Sequence, residues 1–111
     1  FVELVEKGIT TGPEAESTVR NSLMPLLDAG ADMIVLGCTH YPFLSETISK
    51  VASEAYPDRT IRIIDPAPAV ARHLIEVMTE EGISEMAPNG FVMELHASGD
   101  PTTLLTTYDR I

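Results

Sequence analysis

The chain has 111 residues, 44% of them hydrophobic, which allows one domain at most with a modest core. Its formal net charge is -10 and its seven basic residues form no cluster, so nucleic acid and membrane surfaces are not expected as partners. The single cysteine, Cys38, cannot form an intrachain disulfide, which fits a reducing, cytoplasmic compartment.

The start of the chain and its apolar runs give three further expectations. The longest purely apolar run, Met33 to Leu36, is far shorter than the about 20 residues that a bilayer-spanning helix needs. No basic segment followed by an apolar stretch opens the chain, so no signal peptide is expected. Because the first residue is Phe1 and not methionine, we expect a piece of a longer protein.

The first third of the chain is predicted to be helical. Phe1 to Gly8 is an extended or short helical segment, and Pro13 suits the first turn of a helix from about Glu14 to Leu23. Pro25 is expected to break, kink or restart that helix. Ala29-Gly30 is expected to end the helical region.

The middle of the chain alternates between predicted strands and helices. Asp32 to Gly37 is β-branched and apolar, which is typical of a strand buried on both faces. Pro42 is well placed to open a helix over about Phe43 to Ala55, and Thr60 to Ile64 is the second predicted strand. This alternation predicts an α/β fold with a parallel sheet.

The last third continues the pattern with less regular signals. Asp65-Pro66 is expected to open a helix to about Glu81, which a glycine then stops. Pro88-Asn89-Gly90 is a predicted turn, and the alternating segment Phe91 to Ala97 is a predicted strand. Gly99-Asp100-Pro101 is expected to turn into a final short helix.

The stretch that suggests chemistry is LGCTHYPFL, Leu36 to Leu44. Cys38 follows a predicted strand, and ligands in open α/β sheets bind at the carboxyl ends of strands. The helix start after it offers free N–H groups and a positive dipole end, which suit a substrate carboxylate and favour a thiolate. His40 can exchange a proton near neutral pH, and the Thr39 hydroxyl can bond a substrate's carboxylate or amino group.

Structural interpretations of the same residues remain open at this point. A cysteine after an apolar strand is often a small buried hydrophobic residue, and His40 could be a helix-start residue with a satisfied hydrogen bond. A metal site is less favoured, because Cys38 and His40 are two ligands and a structural zinc needs about four. His73 and His96 lack ligand spacing and are expected to be surface or partly buried residues.

LGCTHYPFL closely resembles the second catalytic-cysteine motif of the glutamate racemases, members of the aspartate/glutamate racemase superfamily. Other segments resemble the family in the same order: FVELVEKG at Phe1 to Gly8, the PLLDAGA stretch before the strand, IRIIDPAPAVAR at Ile61 to Arg72, and ASGDP at Ala97 to Pro101. The resemblance covers the whole chain. It implies a layered, parallel-sheet α/β lobe.

The resemblance implies a reaction and a role for each matching residue. Such enzymes interconvert L- and D-glutamate with two cysteines on opposite faces of the α-carbon, using neither pyridoxal phosphate nor a metal. Cys38 matches the second cysteine, and His40 matches the histidine that assists it. Thr39, with His40, matches the substrate-contacting segment, and Glu6 matches an acidic residue that helps to set protonation.

The resemblance also implies what this chain lacks. The family's active site lies between two similar α/β lobes, and the first lobe carries its own cysteine motif. Residues 1–111 would be a partial C-terminal portion without the N-terminal lobe, so the chain alone is not expected to racemise glutamate. The implied role is D-glutamate supply for cell-wall peptidoglycan, and a homodimer stays open.

Two alternatives to a glutamate racemase remain. A related racemase could act on aspartate, hydantoins or similar acids, but aspartate racemases tend to carry an acidic residue where this chain has His40. A catalytically inactive binding module could keep the fold without the chemistry, and the intact Cys38-Thr39-His40 triplet argues against it.

Overall fold

The chain divides into two units, Phe1–Pro66 and Ala67–Ile111, in the computed structural model. The structure describes residues 1–83 and 93–109, the side chain of residue 107 excepted. Both strands and the candidate catalytic residues lie in the first unit.

The first unit is an α/β arrangement around a two-stranded parallel sheet. Its elements in chain order are α1 (Val2–Glu6), α2 (Gly12–Asp28), β1 (Met33–Val35), a 3₁₀ helix (Tyr41–Leu44), α3 (Ser45–Ala55) and β2 (Arg62–Ile64). The strands β1 and β2 pair in parallel, with Ile34 opposite Ile63. The α/β class and the parallel pairing predicted from the sequence are therefore confirmed.

The core of this unit lies between α2 and α3. On α2 a buried residue recurs every fourth position: Ala15, Val19, Leu23 and Leu27. From the end of the 3₁₀ helix through α3 the buried apolar residues are Leu44, Ile48, Val51 and Ala52. These spacings put each set on one helical face, so the two helices bury their apolar stripes against each other.

The prediction that the second helix stops near Leu23 is wrong, because α2 continues through Pro25 to Asp28. Pro25 removes one backbone N–H, which would otherwise bond the carbonyl four residues earlier. It occupies the exposed face, while Leu23 and Leu27 continue the buried stripe on either side of it. Packing of that stripe offsets the cost of the lost hydrogen bond. The helix then ends as predicted, with Gly30 at φ +97°.

The expectation that the first strand is buried on both faces is also wrong. Met33 is 46% exposed and Val35 is 58% exposed, while Ile34 between them is half-buried. The sheet formed by the described residues has only two strands, so β1 has a neighbour on one side only. The hydrogen-bonded ladder is longer than β1, since Arg62 N–H donates to Asp32 and Leu36 N–H donates to Ile64.

The second unit contains α4 (Ala67–Glu80) and α5 (Pro101–Tyr108), as the sequence predicts. The Asp100 carboxylate accepts a hydrogen bond of 2.9 Å from the Thr102 N–H and so caps α5. Residues 93–97 of the predicted strand are not in a strand; its first two residues and the turn at 88–90 lie outside the described residues. No described helix is both long enough and apolar enough to cross a bilayer.

Candidate active site

Cys38 lies on a tight turn just beyond the sheet. The ladder between the strands ends with Leu36, whose N–H donates to the Ile64 carbonyl at 2.9 Å. The Tyr41 N–H then donates to the Cys38 carbonyl at 3.1 Å, which closes a four-residue turn. This turn reverses the chain before the 3₁₀ helix and brings the side chains of Cys38 and His40 to the same side.

The thiol of Cys38 and the imidazole of His40 are neighbours. Sγ of Cys38 lies 4.0 Å from Nδ1 of His40, and Cys38 is half-buried. The hydroxyl oxygen of Thr39, an exposed residue, lies 3.4 Å from the same Nδ1. The Nδ1 edge of the ring therefore faces two groups that can exchange a proton or hydrogen bond with it.

The other ring nitrogen of His40 faces a carboxylate. Nε2 lies 3.9 Å from Oε1 of Glu6, and the side chains of His40 and Glu6 are 35% and 58% exposed. This separation is an ion-pair distance when the imidazole is protonated, and it exceeds the range of a direct hydrogen bond. Glu6 is the last residue of α1, which packs against the 3₁₀ helix that follows His40.

Together these distances form a line from thiol to imidazole to carboxylate. In neutral imidazole one nitrogen carries the proton and the other is an acceptor, and a nearby carboxylate favours the proton on the nitrogen that faces it. In the tautomer with the proton on Nε2, the N–H of His40 faces Glu6. Nδ1 is then left as the acceptor that faces Cys38, which is the arrangement a base needs to take the thiol proton.

The backbone around the turn offers fewer anion-binding groups than the sequence suggests. The N–H groups of Tyr41 and Phe43 are used by the carbonyls of Cys38 and His40, at 3.1 and 3.3 Å. Pro42 has no N–H. The groups that remain available to a substrate carboxylate are the N–H groups of residues 38, 39 and 40, for which the described part of the chain supplies no acceptor.

Two cavities lie elsewhere in the first unit. One, of about 480 Å³, is lined by residues that include Glu3, Lys7 and Tyr41. The other, of about 290 Å³, lies against β1 and α2. Cys38, Thr39, His40 and Glu6 line neither of them. The imidazole and the carboxylate are 35% and 58% exposed, and the thiol beside them belongs to a half-buried residue.

The remaining histidines make local contacts only. His73 Nδ1 lies 3.3 Å from Glu76, and His96 Nε2 lies 3.4 Å from Glu94, with all four side chains exposed. In residues 1–83 and 93–109, no three His, Cys, Asp or Glu side chains are close enough together to hold a metal ion. Both histidines are surface residues, in line with the expectation from their spacing.

One buried hydrogen bond of the first unit was not predicted from the sequence. The hydroxyl of Thr47 on α3 donates to the Thr10 carbonyl at 2.6 Å. Part of it could have been predicted. Thr47 falls on the buried stripe of α3 beside Ile48, and a buried hydroxyl needs a hydrogen-bond partner. The identity of that partner is not readable from the sequence, since Thr10 is far away along the chain.

Comparison with known proteins identifies relatives of this chain. No family model matches it. It is 41% identical to a glutamate racemase of Carboxydothermus hydrogenoformans over 94% of the chain, and 45% identical to one of Roseiflexus sp. over 75% of the chain. The crystal structure of a glutamate racemase from Francisella tularensis in complex with D-glutamate superposes with a TM-score of 0.66 at 26% identity, over 79% of the chain.

These matches confirm the resemblance to glutamate racemases and the α/β class. The chain spans about a third of the proteins that it matches: 36% of the Carboxydothermus enzyme, 29% of the Roseiflexus enzyme and 31% of the Francisella chain. The similarity therefore concerns one part of a considerably longer enzyme.

Proposed function

We propose that this chain is a C-terminal portion of a glutamate racemase and that Cys38 is one of two cysteines that exchange the α-proton of glutamate. Support comes from the relatives. Glutamate racemases align with this chain over 75% to 94% of its length. The observation that carries the proposal is the line of Cys38 Sγ, His40 and Glu6, with successive separations of 4.0 and 3.9 Å.

The proton transfers follow from this line. Nδ1 of His40 accepts the thiol proton of Cys38, and Glu6 stabilises the resulting imidazolium through Nε2. The thiolate then removes the α-proton of glutamate, and the electron pair left on the α-carbon delocalises into the adjacent carboxylate. A second cysteine, supplied by the rest of the protein, donates its proton to the opposite face, which inverts the centre.

Thr39 is proposed to bind the substrate. Its hydroxyl is exposed, and it lies beside the ring of His40, next to the N–H groups of residues 39 and 40. A hydroxyl and free N–H groups on one turn are the kinds of donor that a substrate carboxylate needs. Glutamate is the proposed substrate because the superposed Francisella enzyme is in complex with D-glutamate.

The wider role follows from the same resemblance. We propose that the complete enzyme works in the cytoplasm without pyridoxal phosphate or a metal, and that its D-glutamate is used for peptidoglycan and hence cell shape. Residues 1–111 would supply one wall of a cleft whose other wall is an N-terminal lobe. The half-buried setting of Cys38 is compatible with that arrangement, because an opposing lobe could shield the thiol from water.

The test is a Cys38→Ala substitution in the full-length protein. We expect racemisation of both enantiomers to fall by at least about 10³-fold, since proton transfer at one face is lost. Binding of D-glutamate, measured by calorimetry, should persist, because the thiol is assigned to proton transfer and not to binding. Racemisation at the wild-type rate by this variant would refute the proposal.

A further inference from the structure

Thr47 is a buried polar residue in the first turn of α3. It is 4% exposed, and among the described residues it is the one polar side chain in the buried class. Its Oγ1 donates to the Thr10 carbonyl at 2.6 Å, a short bond between residues of α3 and of the loop between α1 and α2. A buried hydroxyl without that bond would be costly, so the contact fixes a distance between two segments.

On one side, Thr10 follows the hydrogen-bonded end of α1, whose last residue is Glu6. The Gly8 N–H donates to Val5 at 2.9 Å and the Ile9 N–H donates to Leu4 at 2.8 Å, with Gly8 at φ +73°. This pair of bonds is the Schellman motif, which ends α1 and directs the chain into the loop. These bonds fix the chain as far as Ile9, which directly precedes Thr10, so a constraint on Thr10 acts close to the end of α1.

On the other side, Thr47 is tied to His40. The 3₁₀ helix that follows His40 leads directly into α3, and the Ser45 hydroxyl donates to the Pro42 carbonyl at 2.7 Å at the junction. Thr47 lies in the first turn of α3. The Thr47–Thr10 bond therefore connects the two segments that carry the carboxylate and the imidazole.

The other contacts between these segments are mainly apolar. Phe1 packs edge to face on Tyr41 with ring centroids 5.1 Å apart, and Leu4 and Val5 of α1 are buried. Apolar contacts are non-directional and tolerate small sliding movements, whereas a hydrogen bond fixes distance and direction. Within the described part of the chain, the imidazole of His40 is the one group within ion-pair distance of the exposed Glu6 carboxylate.

We infer that Thr47 is a positioning residue for the reaction. Its bond to the Thr10 carbonyl sets the position of α1 relative to the 3₁₀ helix, and through it the separation between Glu6 and His40. Thr47 touches neither substrate nor the reacting atoms, and it acts through Glu6 alone. The inference rests on the proposed function, because it requires that Glu6 assist His40.

The experiment is a double-mutant cycle on kcat in the full-length protein. Thr47→Val keeps the shape of the side chain and removes the hydroxyl, and Glu6→Gln removes the carboxylate charge. We expect Thr47→Val to lower kcat by about 10-fold in the wild-type background and to have no further effect in the Glu6→Gln background. Thr47→Ser keeps the hydroxyl and should restore most of the lost rate.

Two controls separate positioning from folding. Thr18→Val is the same substitution on α2, where the hydroxyl bonds the Glu14 carbonyl of its own helix at 3.0 Å, and it should leave kcat unchanged. Should Thr47→Val not fold, Thr47→Ala takes its place in the cycle. A merely structural role would lower kcat equally in both backgrounds, and such multiplicative losses would overturn the inference.

The Cys38→Ala variant, measured alongside, tells this outcome apart from failure of the proposed function. If Cys38→Ala abolishes racemisation while the losses from Thr47→Val and Glu6→Gln multiply, the proposed function stands and the role of Thr47 is wrong. If Cys38→Ala racemises normally, the proposed function itself is wrong. If Glu6→Gln alone leaves kcat unchanged, Thr47 has nothing to act through, and the inference is overturned.

Discussion

Glu6 and His40 face each other across 3.9 Å, one from the end of α1 and the other from the turn before the 3₁₀ helix. The carboxylate approaches the ring nitrogen that points away from Cys38. Both side chains are partly exposed, so water can bridge the gap between them. We propose that Glu6 favours the tautomer of His40 in which Nε2 carries the proton and Nδ1 faces Cys38.

The first prediction concerns the charge of Glu6. In the full-length protein we expect Glu6→Gln to lower kcat by about 10-fold with little change in KM, because the lost carboxylate stabilised the imidazolium and not the bound substrate. Steady-state kinetics in both directions measures this. Glu3→Gln, on the same short helix, is the matched control and should have no effect. Equal effects of the two substitutions would show that Glu6 has no special role.

Local signals predicted most of the fold, and their failures have physical causes. Gly30 and Gly82 stop helices where expected, since a left-handed residue after a helix is readable from sequence. Pro25 failed as a stop signal because packing of the α2 stripe outweighs one lost hydrogen bond. The exposure of Val35 was unpredictable, because it depends on what covers that face of the sheet, which no local signal reveals.

The candidate site, like the fold, was predicted from the sequence only in part. The closeness of Cys38 and His40 follows from a local turn, so a separation of two residues was enough to suggest it. The position of Glu6 came from the family resemblance alone, since nothing local relates α1 to the turn. The Thr47–Thr10 bond was missed because it joins residues that are 37 positions apart.

The second prediction concerns Arg59, which ties the α3–β2 connection to the end of α2. Its guanidinium donates to the carbonyls of Leu27 and Ala31, both at 2.9 Å, and lies 4.5 Å from the ring centroid of Tyr56. Arg59→Ala removes both bonds, and we expect it to lower the free energy of unfolding by about 2 kcal/mol.

Urea denaturation followed by circular dichroism measures the effect of Arg59→Ala. Arg62→Ala is a suitable control, because Arg62 is exposed on β2 and its backbone N–H, which the substitution keeps, donates to the Asp32 carbonyl. A stability of Arg59→Ala equal to that of Arg62→Ala would mean that the guanidinium contacts contribute nothing to folding.

The third prediction is a pH dependence at α5. The hydrogen bond from the Thr102 N–H lowers the pKa of Asp100 below its usual value. A carboxyl whose pKa is lower in the folded state stabilises the fold above its unfolded pKa, and this stabilisation is lost as pH falls through the folded pKa. We therefore expect the start of α5 to fray on acidification below about pH 4.

Cα chemical shifts of Thr102 to Leu105, recorded by NMR during an acid titration, report this fraying. Asp100→Asn keeps a side chain that can cap a helix and removes the ionisable group, so its α5 shifts should be independent of pH in the acid range. Identical acid titrations of wild type and Asp100→Asn would rule out Asp100 as the cause.

The central claim is that this chain supplies proton transfer at only one face of the α-carbon. The direct measurement follows the optical activity of L-glutamate in deuterated buffer by circular dichroism, with NMR of the α-proton, for the 111-residue chain and for the full-length protein. The account predicts racemisation with deuterium incorporation by the full-length protein, and no inversion by the chain alone. Catalysed loss of optical activity by the purified chain would contradict it.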